Sequence, residues 1–162
     1  MDIYKVRQEL ASGKALKDLP LRVTYYARVS TDHEEQANSL INQTDHFQNH
    51  IKDNPNWTYV DGYVDEGISG KSVKGRKRFL KMIEDAKMGK FDLILTKEVS
   101  RFSRNLEDSV KYLKELLKYN VGVLFQTQSL NTFDVNSEFT LNMMGAMAWK
   151  FQMLGMSKKL SS

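Results

Sequence analysis

Three short apolar runs, spaced by polar loops and amphipathic stretches, restrict the folds open to this chain more than any other feature. Leu21 to Val29 (LRVTYYARV), Phe91 to Thr96 (FDLILT) and Val121 to Gln126 (VGVLFQ) are rich in β-branched and aromatic side chains, the composition of buried strands. FDLILT is almost continuously apolar, as a central strand covered on both faces requires. Trp57 to Val64 reads as a further strand. Between these runs the apolar spacing turns helical. One helix is predicted from about Glu34 to Ile51, with Leu40, Ile41, Phe47 and Ile51 facing the core, and Asn54-Pro55-Asn56 closes it. Phe79, Leu80, Met82 and Ile83 place a second before Gly89, and a third runs from Asn105 to about Tyr119. Strands alternating with helices predict an α/β fold, a mostly parallel sheet flanked by helices, in which ligands bind beyond the carboxyl ends of the strands.

The flanks read differently. Met1 to Pro20 carries a loose helical pattern (Tyr4, Val6, Leu10, Leu16, Leu19), interrupted at Ser12-Gly13 and stopped by Pro20, and is expected to be an N-terminal appendage to a domain spanning 21–135. Over 136–162 the apolar residues, among them Phe139, Met143, Met147, Phe151 and Leu154, encircle a long helix instead of striping it. Such a helix is either a central core helix or one that projects and buries its second face against a partner subunit. With 162 residues, one domain fits and a second globular one does not. No window approaches the roughly 20 uncharged apolar residues of a membrane span. The absence of a cleavable leader pattern and of cysteine makes the cytoplasm the default expectation.

A net charge of +4 is compatible with a polyanionic partner without requiring one. The placement of arginine says more: Arg28, Arg76, Arg78, Arg101 and Arg104 all fall beside predicted strand ends or in the loops after them. Ser30-Thr31-Asp32 stands at a strand-to-helix junction, and Asp65 to Gly75 (DEGISGKSVKG) is a polar, glycine-rich loop. Acyl-transfer enzymes activate serine with a histidine held by a carboxylate, but the histidines here are His33, His46 and His50, on or near one helix, and no G-x-S-x-G elbow surrounds Ser30. Attack on a phosphodiester needs the phosphate positioned and its charge neutralised, and arginine does both. Asp65 and Glu66 form a lone pair without a second carboxylate cluster, so no metal is indicated, and Gly70-Lys71-Ser72 lacks the upstream spacing of a phosphate-binding loop. Singly, each residue has a plain role: Ser30 as helix cap, Ser69 as turn residue, Arg101 and Arg104 as solvated surface.

Together they carry a family resemblance. Tyr26-Ala27-Arg28-Val29-Ser30-Thr31-Asp32 resembles the start of the resolvase/invertase (serine recombinase) catalytic domain, with Gln43 at that family's glutamine position. Asp65-Glu66-Gly67-Ile68-Ser69-Gly70 resembles its second motif, most like the large phage-integrase and transposon branch; Arg76 matches its loop arginine, and Val99 to Asn105 (VSRFSRN) its third motif. The resemblance covers about Leu21 to Met156. It implies a site-specific DNA recombinase in which Ser30 forms a 5′-phosphoserine link to double-stranded DNA. Arg28, Arg101 and Arg104 would surround the phosphate, Arg76 would assist, and Gln43, Asp65 and Ser69 would position these groups. It implies no cofactor, no metal and no small-molecule substrate, and a bacterial or phage-encoded protein. The long C-terminal helix would make a homodimer and, in the synaptic complex, a tetramer, with the sequence-specific DNA-binding part lying beyond Ser162. Two departures stand out: Ser100 where many members have aspartate, and Trp149 to Gly155 followed by Lys158-Lys159 where the family usually has an acidic, arginine-containing stretch. They leave open the alternative of a catalytically impaired recombinase-fold protein acting through dimerisation or DNA binding alone.

Overall fold

The computed structural model describes residues 1–29, 34–66, 76–98 and 106–134, with the side chains of residue 29, residues 34–40 and residues 106–107 not described. Helix α1 (Ile3–Ala11) and a single 3-10 turn (Leu16–Asp18) precede β1 (Arg22–Val29). There follow α2 (Glu34–Lys52), β2 (Thr58–Tyr59), β3 (Tyr63–Glu66), α3 (Lys77–Lys87), β4 (Leu93–Thr96), α4 (Leu106–Lys118), β5 (Gly122–Phe125) and β6 (Leu130–Asn131). The expected α/β fold is present. The strands run in the order β2-β1-β4-β5-β6, with β3 also on β1; all pairs are parallel except the antiparallel β5–β6 hairpin.

Alternation along the strands sorts the core into two faces. Val23, Tyr25, Ala27, Leu93 and Leu95 meet Phe47 and Ile51 of α2 on one face. Tyr26, Tyr63, Ile94, Val123 and Phe125 meet Phe79, Met82 and Ile83 of α3 and Leu113 and Leu116 of α4 on the other. Leu93, Ile94 and Leu95 are fully buried, as the apolar run FDLILT predicts for a central strand. Helix ends follow local chemistry: Gly89 (φ +72°) and Asn120 (φ +64°) take the left-handed conformation just past α3 and α4, which glycine and asparagine tolerate best.

Three expectations need correction. The strand predicted from Trp57 to Val64 is two pieces, β2 and β3. Between them the Asp61 carbonyl accepts from Thr24 Oγ1 at 2.9 Å, and Gly62 lies so close under the Tyr25 ring that a Cβ would overlap it. Ile41 is 57% exposed, because a turn of about 100° per residue takes it off the face shared by Phe47 and Ile51. Residues 1–20 are no appendage. Val6 and Leu19 are buried in the α2-side core, where each contributes about 1.5–3 kcal/mol. Arg7 Nε donates to the Phe133 carbonyl at 2.9 Å, and Trp57 Nε1 to the Leu16 carbonyl at 3.4 Å. Strand β6, too short for a periodic signal, is an addition to the predicted elements. The predicted long helix over 136–160 lies outside the described residues.

Candidate active site

Parallel pairing brings the carboxyl ends of β3, β1 and β4 side by side, with β1 in the middle. From those three ends the chain continues into the segments that carry Ser69, Ser30, and Arg101 with Arg104. These four residues lie outside the described residues. Arg28, Gln43, Asp65 and Arg76 lie within them.

Arg28 is the penultimate residue of β1, and its Cα stands in register with that of Asp65 near the end of β3. It is half-buried. Two residues back on the same face, Tyr26 is fully buried, and its hydroxyl joins two of the expected site residues. It donates to Asp65 Oδ2 at 2.8 Å and accepts from Arg76 Nε at 3.1 Å and Nη2 at 2.9 Å. Burial pushes the Tyr26 phenol well up, the Arg76 guanidinium opposes the shift, and the Asp65 carboxylate adds to it. The hydroxyl therefore keeps its proton at neutral pH and works as a bridge, not as a base.

Asp65, 3% exposed, accepts two further bonds, from the backbone N–H of Arg78 at 3.0 Å and of Phe79 at 3.1 Å. Arg76, the N-cap residue of α3, makes no side-chain cap bond. Asp65 reaches across from β3 to take that role, satisfying N–H groups that the first turn leaves open and placing a negative charge at the positive end of the helix. Arg76 is 1% exposed, with its guanidinium 4.2 Å from the centre of the Phe79 ring and 5.1 Å from that of Tyr26. The structure thus unites Asp65 and Arg76 in one buried network and sets Arg28 beside Asp65 in register. Tyr26 is the member that sequence reasoning missed. Its signal was available, since strand alternation puts it on the face of Arg28 and its hydroxyl needs a partner in an apolar strand.

Gln43 stands apart from that network, on α2 above the other face of the sheet. With Asn42, His46, Phe47, Lys97 and Gln126 it lines a cavity of about 270 Å³ between α2 and the carboxyl ends of β4 and β5. Among the described residues there is no group of three or more His, Asp or Glu able to hold a metal ion, and no helix long and apolar enough to cross a membrane.

The profile of the family described as "Resolvase, N terminal domain" matches residues 23–153. Among solved structures, the chain is similar to the N-terminal catalytic domain of TP901-1 integrase, with TM-score 0.58 and 24% identity over 82% of this chain and 98% of that one. A resolvase family site-specific recombinase from Streptococcus pneumoniae gives 0.61 and 23% over 87% and 100%. A serine recombinase from Sulfolobus solfataricus gives 0.54 and 21% over 83% and 86%. At these identities the likeness is one of fold. A search of curated proteins finds no match. Because the family profile runs from the first residues of β1 to beyond the last described strand, the chain belongs to the resolvase N-terminal domain family.

Proposed function

We propose that the chain is the catalytic domain of a site-specific recombinase that cuts and rejoins double-stranded DNA through Ser30. The reading is carried by one observation: the ends of β3, β1 and β4, which lead to Ser69, Ser30 and the Arg101–Arg104 pair, are neighbours in one sheet, with Arg28 and Asp65 in register at their base. In this reading the Ser30 hydroxyl oxygen bonds to the scissile phosphorus as the bond to the 3′ oxygen breaks. The serine proton ends on that oxygen, leaving a free 3′ hydroxyl and a 5′ phosphate held on serine. Strand rejoining is the same step in reverse with a new 3′ hydroxyl, so the phosphodiester bond is conserved and no energy cofactor is consumed.

Arg28, Arg101 and Arg104 neutralise the non-bridging oxygens, a task for which a permanent, bidentate cation is suited. Arg76, sealed under Tyr26 and Phe79, assists by holding the β3 end and the start of α3 in place rather than by standing in water beside the phosphate. Asp65 orients the same corner, and Gln43 and Ser69 position the reacting groups. Dimers, and tetramers during exchange, are formed by the segment after residue 135. The test is to trap cleavage intermediates on a DNA site recombined by the full-length protein. Protein attached to DNA 5′ ends is expected with the unaltered chain and with Thr31→Ala, and none with Ser30→Ala. An adduct persisting in Ser30→Ala overturns the assignment.

A further inference from the structure

We infer that the cavity between α2 and the carboxyl ends of β4 and β5 is a subsite for a backbone phosphate and its sugar on the DNA strand next to the cleaved bond, with Lys97 as its cation. The inference rests on the recombinase reading. Of the cavity's described lining residues, Asn42, Gln43, His46, Lys97 and Gln126 all carry N–H donors and none is a carboxylate, so their chemistry selects an anion. Among the described residues Lys97 has no acidic partner, unlike Lys14, Lys81, Lys87 and Lys90, each of which pairs with an aspartate or glutamate.

The walls are fixed before any ligand arrives. Beyond the ends of β4 and β5 the strands continue to pair, Gln126 N–H donating to the Thr96 carbonyl at 3.0 Å and Thr127 N–H to the Lys97 carbonyl at 2.8 Å. This holds Lys97 and Gln126 side by side. The apolar wall is Phe47, itself stacked on Tyr25 with ring centres 5.2 Å apart. An apolar wall with a rim of donors suits a sugar–phosphate unit better than a bare ion. The volume of about 270 Å³ lies just under the roughly 300–1,000 Å³ of pockets for drug-sized ligands, which fits a single such unit. Gln43 belongs both to this cavity and to the expected catalytic set, so a phosphate seated here is on the strand that enters the active site. The larger groove of about 400 Å³ around His50 and Trp57 begins one helical turn further along α2, the His50 ring 6.1 Å from that of His46, and its lining includes Asp18 and Asp53, which repel a phosphate.

The test is fluorescence anisotropy of a short labelled duplex of arbitrary sequence, titrated with the 162-residue chain over a range of salt concentrations. Losing one phosphate contact should weaken binding about equally on all sequences and reduce the slope of log K against log salt by about 0.9. That loss is expected for Lys97→Gln and not for Lys17→Gln, a charge-matched change at the acid-lined groove, while Lys97→Arg restores the slope. Circular dichroism of each variant monitors folding. Equal slopes for Lys97→Gln and the unaltered chain overturn the proposal, as does equal weakening by both glutamine variants or failure of the unaltered chain to bind. A titration with inorganic phosphate that shifts the Lys97 and Gln126 amide resonances, without any Lys97 effect on DNA binding, would mark a site for free phosphate and also overturn the DNA assignment. The slope measurement needs no cleavage. A Lys97 effect with no Ser30-linked adduct would keep the subsite and reject the chemistry, and the converse would do the opposite.

Discussion

Replacing Tyr26 by phenylalanine removes one oxygen atom and leaves the ring in place, so its effect isolates the bridge between Asp65 and Arg76. Three hydrogen bonds go with that oxygen: the one donated to Asp65 Oδ2 and the two accepted from Arg76. Bonds to charged groups contribute about 1.5–3 kcal/mol each, but they are not additive here, since Asp65 keeps its two backbone donors from α3. Arg76 bears the larger loss, because at 1% exposure water cannot readily replace the hydroxyl. The expected cost is about 3 kcal/mol. At a urea slope of about 2 kcal/mol per molar the midpoint falls by roughly 1.5 M, with the slope unchanged. Tyr4→Phe, at a residue 76% exposed, is the control and should shift nothing. A Tyr26→Phe midpoint within about 0.2 M of the unaltered chain would refute the claim that this hydroxyl holds the corner together.

Other consequences concern stability and the site. Gly62→Ala pushes a methyl into the Tyr25 ring and should cost about 1–3 kcal/mol by thermal melting, with part of the loss recovered when Tyr25 is also changed to leucine. Asp92 is buried, which pushes its carboxyl up, but Arg22 and the N-terminal ammonium outweigh burial and hold it below its ordinary value. Its contribution is therefore full above about pH 4 and is lost as pH falls through the lowered value. Asp92→Asn should be less stable at neutral pH and show a shallower acid limb in unfolding measured from neutral pH down to about pH 2. The smaller salt slope expected for Lys97→Gln belongs with these, as a change in DNA binding without a change in melting temperature.

The sequence revealed those parts of the fold whose signals are periodic and local. FDLILT announced a central strand because both its faces are apolar, and α3 showed in the spacing of Phe79, Met82 and Ile83. Contacts distant in the chain did not show. Val6 and Leu19 looked like a weak helical pattern, and only the folded sheet makes them core. Ile41 lies off the face that Phe47 and Ile51 share, since each residue turns a helix by about 100° and six residues separate it from Phe47. At the site, the order of motifs was legible along the chain and Arg28 and Asp65 were named from it. Tyr26 passed as one more strand aromatic, since nothing local discloses that Arg76, fifty residues on, shares its hydroxyl. Lys97 was missed for the same reason: its cavity is made by α2 and β5, which lie far from it in sequence.

The central claim is the identity of the residue that holds DNA. A trapped protein–DNA complex of the full-length recombinase, digested with nuclease and protease and read by mass spectrometry, should yield a peptide carrying a nucleotide remnant on Ser30. Tyr26, four residues away, is fully buried with its hydroxyl committed to Asp65 and Arg76, and should carry none. A remnant on Tyr26, Ser69 or any residue other than Ser30 would contradict the account.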